Sequence, residues 1–292
     1  MESGEHRRGR ACQPEQRSAT EPVLARRHRV SRRRVGVAPG RRRARSVLRP
    51  AYSNRVGHAI RAVLTSALAV PLIALARRHL DRRPWGGLRL TSLRLGWRAL
   101  LWGMVFWLVA AGVGLATTLA LGWVSISFGA PSARVLLLFT YLPLLVFLYE
   151  ALPEELIFRG YFYRNLADRY ARWMAVVGQA ALFTLWATAI GAAGSVERVV
   201  LFFTFGIVLG VLRALTNNLW SCIGFHLASQ WVTQFYSAAV RDGLVRVEGG
   251  SALELVALWF FPIVLGSIVV IAVAAVRGRS RWRERDPEPV PP

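Results

Sequence analysis

Residues 134–160 read RVLLLFTYLPLLVFLYEALPEELIFRG. The first part is almost wholly apolar, as in a helix that lies in lipid, yet three glutamates and an arginine follow directly. A carboxylate at membrane depth costs about 2.5–3.5 kcal/mol on insertion scales, so such residues are rare there and are usually partnered or functional. The stretch therefore predicts a membrane helix that carries a polar site.

The composition agrees with a membrane protein. The hydrophobic content is 54%, above the roughly 45–50% of ordinary soluble domains. Two cysteines, Cys12 and Cys222, cannot form a disulfide framework, and neither has metal-site spacing. We expect Cys222 to be a core residue rather than a catalytic one.

Apolar blocks recur along the chain after residue 55. Most are long enough, at 1.5 Å per residue, to cross a membrane core of about 30 Å. We predict an all-α, polytopic membrane helical bundle with six to eight transmembrane helices. The first block is doubtful, because His58 and Arg61 leave a clean apolar stretch shorter than the usual ~17 residues. The blocks are 56–76, 97–122, 134–152, 173–193, 197–215, 219–239 and 253–276.

Arginines between the blocks indicate the orientation. They concentrate in alternate loops, which are expected to be cytoplasmic, whereas loops 123–133 and 240–252 carry little positive charge. This predicts a multi-pass integral protein of a bacterial-type cell membrane with a cytoplasmic C-terminus. Seven crossings would place the arginine-rich N-terminus outside, against the same rule. Either block 56–76 lies in the interface or re-enters, or residues 1–50 are not part of the natural protein.

Residues 1–50 hold 15 arginines and four acids, half of the net charge of +22. They lack apolar periodicity and predict a disordered tail. Three interpretations compete: a cytoplasmic tail drawn to anionic lipid, translation from a wrongly chosen start codon, and a nucleic-acid arm. The third is weakest, because the tail has no aromatic residue for base stacking, so we expect no specific nucleic-acid binding. Residues 51–276 form the predicted membrane domain, and 277–292 a basic, then Pro-rich tail.

Ionisable residues inside the blocks are scarce. Glu155 and Arg159 are four residues apart, which predicts an ion pair on one helix face. Glu154 lies beside Glu155, and Glu150 lies one turn before Glu154 with no assigned role. A carboxylate that lacks a cationic partner can serve as a general base. The alternative is that this helix end lies among lipid headgroups, where these side chains are merely solvated.

His226 is the only histidine beyond residue 79, and Gln230 follows one turn later on the same helix face. An imidazole and an amide together can stabilise a developing oxyanion, although a lone histidine can equally be a packing residue. Zinc usually takes three or four N, S or O ligands. Glu154, Glu155 and His226 support a divalent metal such as zinc only weakly, so the cofactor stays unknown.

Three segments resemble motifs of a known family, the CPBP or Abi group of CAAX-prenyl-protease and bacteriocin-processing membrane proteases. Its first motif, E-E-x-x-x-R, matches Glu154, Glu155 and Arg159 within EELIFRG. Its third motif, H-x-x-x-N with an upstream L-W, is similar to LWSCIGFHLASQ, with His226 in place and Gln230 where the family has Asn. The resemblance covers about residues 95–275.

The second motif, F-x-x-x-H, falls on Phe183 with Ala187 at the histidine position. Thr184 and Thr188 cannot replace a titrating group there. Loss of a general acid or base typically costs 10²- to 10⁴-fold in rate. The departure therefore predicts a slow enzyme or an inactive one.

The resemblance implies an intramembrane endopeptidase, a hydrolase, that acts on a peptide or membrane-protein substrate in the lipid bilayer. In it Glu154 would activate water, His226 and Gln230 would hold the oxyanion, and Glu155 and Arg159 would brace the site. Whether the family's chemistry uses a metal or glutamate alone stays open. The alternative is a catalytically weak pseudoprotease that acts as a membrane binding or bacteriocin-immunity-like protein. A small-solute transporter explains intramembrane charges but not the order of the three motifs.

Overall fold

The computed structural model describes residues 55–130, 133–248, 261–278 and 281–286. These residues are mainly helical, which confirms the all-α prediction. The α-helices are α1 (Arg55–Leu75), α2 (Leu93–Ala120), α3 (Ala133–Val146), α4 (Leu152–Glu155), α5 (Tyr163–Arg169), α6 (Arg172–Ala189), α7 (Val196–Thr216), α8 (Leu219–Arg241) and α9 (Phe261–Gly278).

The opening stretch forms one continuous helical rod with two wide turns. A π-helical turn, Phe147–Ala151, joins α3 to α4, and a second one, Leu156–Phe162, joins α4 to α5. The N–H of Leu152 bonds to the carbonyl of Phe147, five residues back, and Pro153 has no N–H to restore the α-helical pattern. Such turns are rare and are frequent at functional sites. Glu154 and Glu155 therefore lie between two local departures from regular helix geometry, and Glu150 lies within the first of them.

Helix α8 is the most buried helix of the bundle. Its buried residues run almost without interruption from Leu219 to Ser229, and it packs against α2, α3 and α7. Cys222 is fully buried there, and its thiol donates a hydrogen bond of 3.5 Å to the carbonyl of Leu209. This confirms the prediction that Cys222 is a core residue.

Two glycines allow α2 and α8 to approach closely. A Cβ at Gly224 would collide with the backbone carbonyl of Leu100, and a Cβ at Gly103 would collide with that of Ser221. Small residues at helix crossings are common in membrane bundles, because they let backbones come into contact. The crossing fixes the position of α8 and hence of His226.

We expect Gly224→Ala to destabilise the fold by about 1–3 kcal/mol, since the added methyl must push two backbones apart. Gly112→Ala is the matched control on α2, where a Cβ would meet nothing within 4 Å. The midpoint of unfolding in a denaturing-detergent titration measures both variants. Equal midpoints for the two would contradict the close helix crossing.

Among the described residues, four helical segments are long and apolar enough to cross a membrane: Gly57–Leu80, Trp85–Ala120, Val135–Arg169 and Val196–Thr216. The first apolar block was predicted to be too short and too polar for a clear span, and this was wrong, because Gly57–Leu80 is long and apolar enough to cross a membrane. A π-helical turn, Ala76–Leu80, extends α1, and Leu64, Leu68 and Leu72 form an exposed apolar face. The count of six to eight spans stays a prediction.

Two loops of low positive charge meet in a short antiparallel ribbon. Strand β1 (Ser125–Phe128) pairs with β2 (Val245–Glu248). Both segments were predicted to be loops, so the strands are an addition to the all-α prediction. Their pairing brings residues 125–128 and 245–248 together, and both segments belong to loops that the distribution of arginines predicts on one side of the membrane.

Residues 281–286 lie against the helices, although they belong to the segment predicted as a C-terminal tail. Asp286 forms ion pairs with Arg164 at 3.6 Å and with Arg172 at 3.1 Å, and Trp282 packs beside Tyr163. The predicted tail at residues 1–50 lies outside the described residues.

Candidate active site

Glu155, Arg159 and His226 form a buried polar network with exposed fractions of 0%, 0% and 1%. One carboxylate oxygen, Oε1 of Glu155, accepts a hydrogen bond of 2.9 Å from Nη1 of Arg159 and lies 2.8 Å from Nδ1 of His226. The ion pair predicted from the i, i+4 spacing is therefore present. The structure adds His226, which comes from a helix 71 residues further along the chain.

The network is fixed on the Arg159 side by α6 and α7. The guanidinium lies over the Phe183 ring, 4.5 Å from its centroid, an attractive cation–π geometry. The backbone carbonyl of Arg159, within the second π-helical turn, accepts a hydrogen bond of 3.2 Å from Nε of Arg213. Phe183 of the second motif thus contacts the first motif directly.

Glu154 has a different environment from that of Glu155. Its side chain is 16% exposed, and its Oε2 lies 3.8 Å from Nε2 of His226. If Nδ1 of His226 donates to Glu155, a neutral imidazole leaves Nε2 as an acceptor that faces the Glu154 side. His226 therefore connects the buried Glu155 with the more accessible Glu154.

A cleft of about 790 Å³ reaches Glu154, and its wall is mainly apolar. Gln230 lies on this wall together with Glu150 and Gln234, whereas His226 is not among the lining residues. The sequence predicts that His226 and Gln230 together hold one oxyanion. In the structure Gln230 reaches the cleft, whereas His226 lies in the buried network. The apolar part of the wall includes Ile157, Phe158, Leu182, Leu185, Trp186 and Phe202.

Ala187 is fully buried and is not among the lining residues of the cleft, although its neighbours Trp186 and Ala189 are. It lies one turn after Phe183 on α6. The second-motif position consequently supplies no titrating group to the cleft.

Sequence reasoning missed Gln234 and left Glu150 without a role. Nε2 of Gln234 donates hydrogen bonds to both carboxylate oxygens of Glu150, at 2.9 and 3.0 Å. A signal was available, because His226, Gln230 and Gln234 recur every four residues and share one face of α8. The polar site therefore includes two residues, Glu150 and Gln234, that lie outside the three motifs.

The residues do not fit a metal centre. Among the described residues, no group of three or more His, Cys, Asp or Glu side chains is arranged to hold a metal ion. Oε1 of Glu155 is already engaged by Arg159 and His226, so this oxygen is not a free ligand.

A family model described as Rce1-like, type II CAAX prenyl endopeptidase, matches residues 136–232. This segment contains Glu154, Glu155, Arg159, His226 and Gln230. Searches among curated proteins and among solved structures found no match. Four apolar helices long enough to cross a membrane agree with the membrane setting of this family. The match supports, over residues 136–232, the assignment to the CPBP/CAAX protease family that the motifs predict.

Proposed function

We propose that the protein is an intramembrane endopeptidase of the CAAX-prenyl-protease type, in which Glu154 activates water. One observation carries the proposal. Of two adjacent glutamates, Glu155 is neutralised in a buried network, whereas Glu154 reaches a cleft and has no arginine within ion-pair distance among the described residues.

Glu154 has the position of a general base. Water in the cleft can donate a proton to the Glu154 carboxylate while its oxygen attacks the carbonyl carbon of a peptide bond. His226 Nε2 lies 3.8 Å from Glu154 Oε2, and in the neutral imidazole it can accept the proton that Glu154 takes from water. Proton removal in this way typically accelerates a reaction by 10²- to 10⁴-fold.

Gln230 is suited to stabilise the tetrahedral intermediate. Its side chain lies on the cleft wall with Glu154, and an amide N–H can donate to the negatively charged oxygen that forms on the attacked carbonyl. In this proposal the oxyanion role belongs to Gln230, and His226 acts through the glutamates.

Glu155 and Arg159 are positioning residues. Their ion pair gives His226 a fixed acceptor for Nδ1–H at 2.8 Å, which sets the tautomer and the orientation of the ring. The same arginine cancels the charge of Glu155, so that Glu154 is the remaining basic carboxylate next to His226.

The wall of the cleft indicates the chemical class of the substrate. It is lined mostly by aromatic and aliphatic side chains, which suit an apolar peptide or a lipid-modified one. We propose a peptide or membrane-protein substrate that is cleaved within the lipid bilayer.

A catalytically weak pseudoprotease is the second candidate function, and Ala187 favours it. In this alternative the pocket binds a peptide or membrane protein without cleaving it, because the second motif contributes no proton carrier.

Cleavage of a peptide library by the purified full-length protein in detergent tests the proposal. The library contains unmodified and C-terminally prenylated peptides, and Glu154→Ala is the blank. We expect wild type to release fragments that carry one ¹⁸O atom in the new carboxylate when the reaction runs in H₂¹⁸O, and the blank to release none. An inert wild type, with cleavage gained in Ala187→His, would favour the pseudoprotease.

A further inference from the structure

Glu150 is the second carboxylate on the wall of the cleft. It precedes Glu154 by one helical turn, and both glutamates line the cleft with Gln230 and Gln234. The first π-helical turn, Phe147–Ala151, contains Glu150. The cleft is thus lined by two carboxylates, and one can act as an acid while the other acts as a base.

The environment of Glu150 lets it carry a proton. Its only described hydrogen-bond partner is the neutral amide of Gln234, at 2.9 and 3.0 Å, and it forms no ion pair with a described residue. A carboxylic acid can accept a bond from that amide through its carbonyl oxygen, so this contact does not require the charged form. Glu155, by contrast, forms an ion pair with Arg159 at 2.9 Å.

Peptide hydrolysis needs a proton donor as well as a base, because the amine that leaves must be protonated. The second-motif position holds Ala187 and cannot supply this proton. Among the described lining residues, Tyr149, Glu150 and Glu154 are the titratable ones. Glu154 is used as the base and Tyr149 is about half-exposed, which leaves Glu150.

A smaller cavity of about 210 Å³ is also lined by Glu150. It is lined by Glu150, Tyr149 and Gln234, which it shares with the cleft, and by His58 and Arg61 of α1. Glu150 therefore borders two spaces. The cavity offers it a route for exchanging a proton that does not cross the bound substrate.

We propose that Glu150 is the catalytic acid that protonates the leaving amine, in place of the histidine of the second family motif. This inference rests on the proposed function. Glu154 takes one proton from water as the C–O bond forms, and protonated Glu150 gives its proton to nitrogen as the C–N bond breaks. Glu154 then returns its proton to Glu150 through water in the cleft, which restores both side chains. One water is consumed for each peptide bond that is cleaved.

The pH dependence follows from the two roles. Activity falls at low pH as Glu154 becomes protonated, and it falls at high pH as Glu150 loses its proton. The titratable, charged and amide groups that face Glu150 are His58 and Arg61 from α1, Tyr141, Tyr149 and Glu154 from its own helical rod, and His226 and Gln234 from α8.

Glu150→Gln in the full-length protein tests the inference with a side chain of the same shape. We expect kcat to fall by about 10²-fold, KM to stay within about threefold, and the decline of activity at high pH to disappear. Glu150→Asp should keep that decline at a reduced rate. Glu197→Gln, which changes an exposed glutamate at the start of α7, is the control and should leave the whole profile unchanged.

Two outcomes would overturn the inference. A Glu150→Gln protein that cleaves at the wild-type rate with an unchanged pH profile removes Glu150 from catalysis and leaves the role of Glu154 intact. A wild type that cleaves nothing removes the proposed function and this inference together. The unfolding midpoint in detergent shows whether a loss of activity comes from misfolding. A folded Glu150→Gln protein should have the same midpoint as wild type.

Discussion

Glu154→Gln is expected to lower the rate of peptide cleavage by about 10²- to 10⁴-fold while the protein stays folded. An amide cannot accept the proton of the attacking water at neutral pH, so the loss falls on kcat. The side chain is partly exposed at the cleft, and His226 Nε2 is its nearest described ionic partner, at 3.8 Å. The change therefore removes a base without breaking a close ion pair.

Glu155→Gln is the matched comparison, because it makes the same chemical change at the adjacent position. Here Arg159 and His226 both lose the charged oxygen at 2.9 and 2.8 Å, so stability should fall together with activity. Cleavage rates and unfolding midpoints in the same detergent measure the contrast. A Glu154→Gln protein with normal turnover would contradict the assignment of the base. Equal losses of stability in the two variants would contradict the division between a catalytic and a positioning glutamate.

Local spacing explains which parts of this site could be predicted. Glu155 and Arg159 are four positions apart, and helix geometry alone brings them together. The link to His226 depends on how α8 packs against α2 through Gly224 and Gly103, which spacing cannot show. His226 was identified from the sequence without its geometry, and the structure places it in the buried network with Glu155.

The periodicity of apolar residues in the sequence does not reveal the two π-helical turns. Helical patterns assume about 3.6 residues per turn. The rod from Ala133 to Arg169, however, contains two π-helical turns that flank Glu154 and Glu155. The hydrogen bond between Gln234 and Glu150 joins residues 84 positions apart. Gln234 follows Gln230 on the same helix face, but no pattern in the sequence identifies its partner.

Block lengths predicted the described helices, whereas the number of membrane crossings stays a prediction. Helix α8 contains His226 and several serines, threonines and glutamines that lower its hydropathy, and burial within the bundle accounts for them. Helix α1 has the opposite composition, with an exposed face of leucines that suits lipid. Burial against protein and exposure to lipid thus separate helices that look similar as apolar blocks.

Arg159→Met is expected to cause the largest loss of stability, about 3–5 kcal/mol, because it leaves the charge of Glu155 buried without its cation. Arg159 and Glu155 are both fully buried, and no other arginine is within ion-pair distance of Glu155 among the described residues. The methionine also loses the cation–π contact with Phe183. Arg169→Met, which changes an exposed arginine at the end of α5, is the control and should shift the unfolding midpoint little.

The double variant Arg159→Met with Glu155→Gln distinguishes a buried charge from a packing defect. Removing both charges is often neutral for a buried pair, whereas removing one is costly, so the double variant should be more stable than Arg159→Met alone. Unfolding midpoints of the four proteins in one detergent provide this double-mutant cycle. A double variant less stable than Arg159→Met would show that Glu155 is not an unpaired charge in the single variant. Restored stability without restored cleavage would indicate that the ion pair serves His226 as well as the fold.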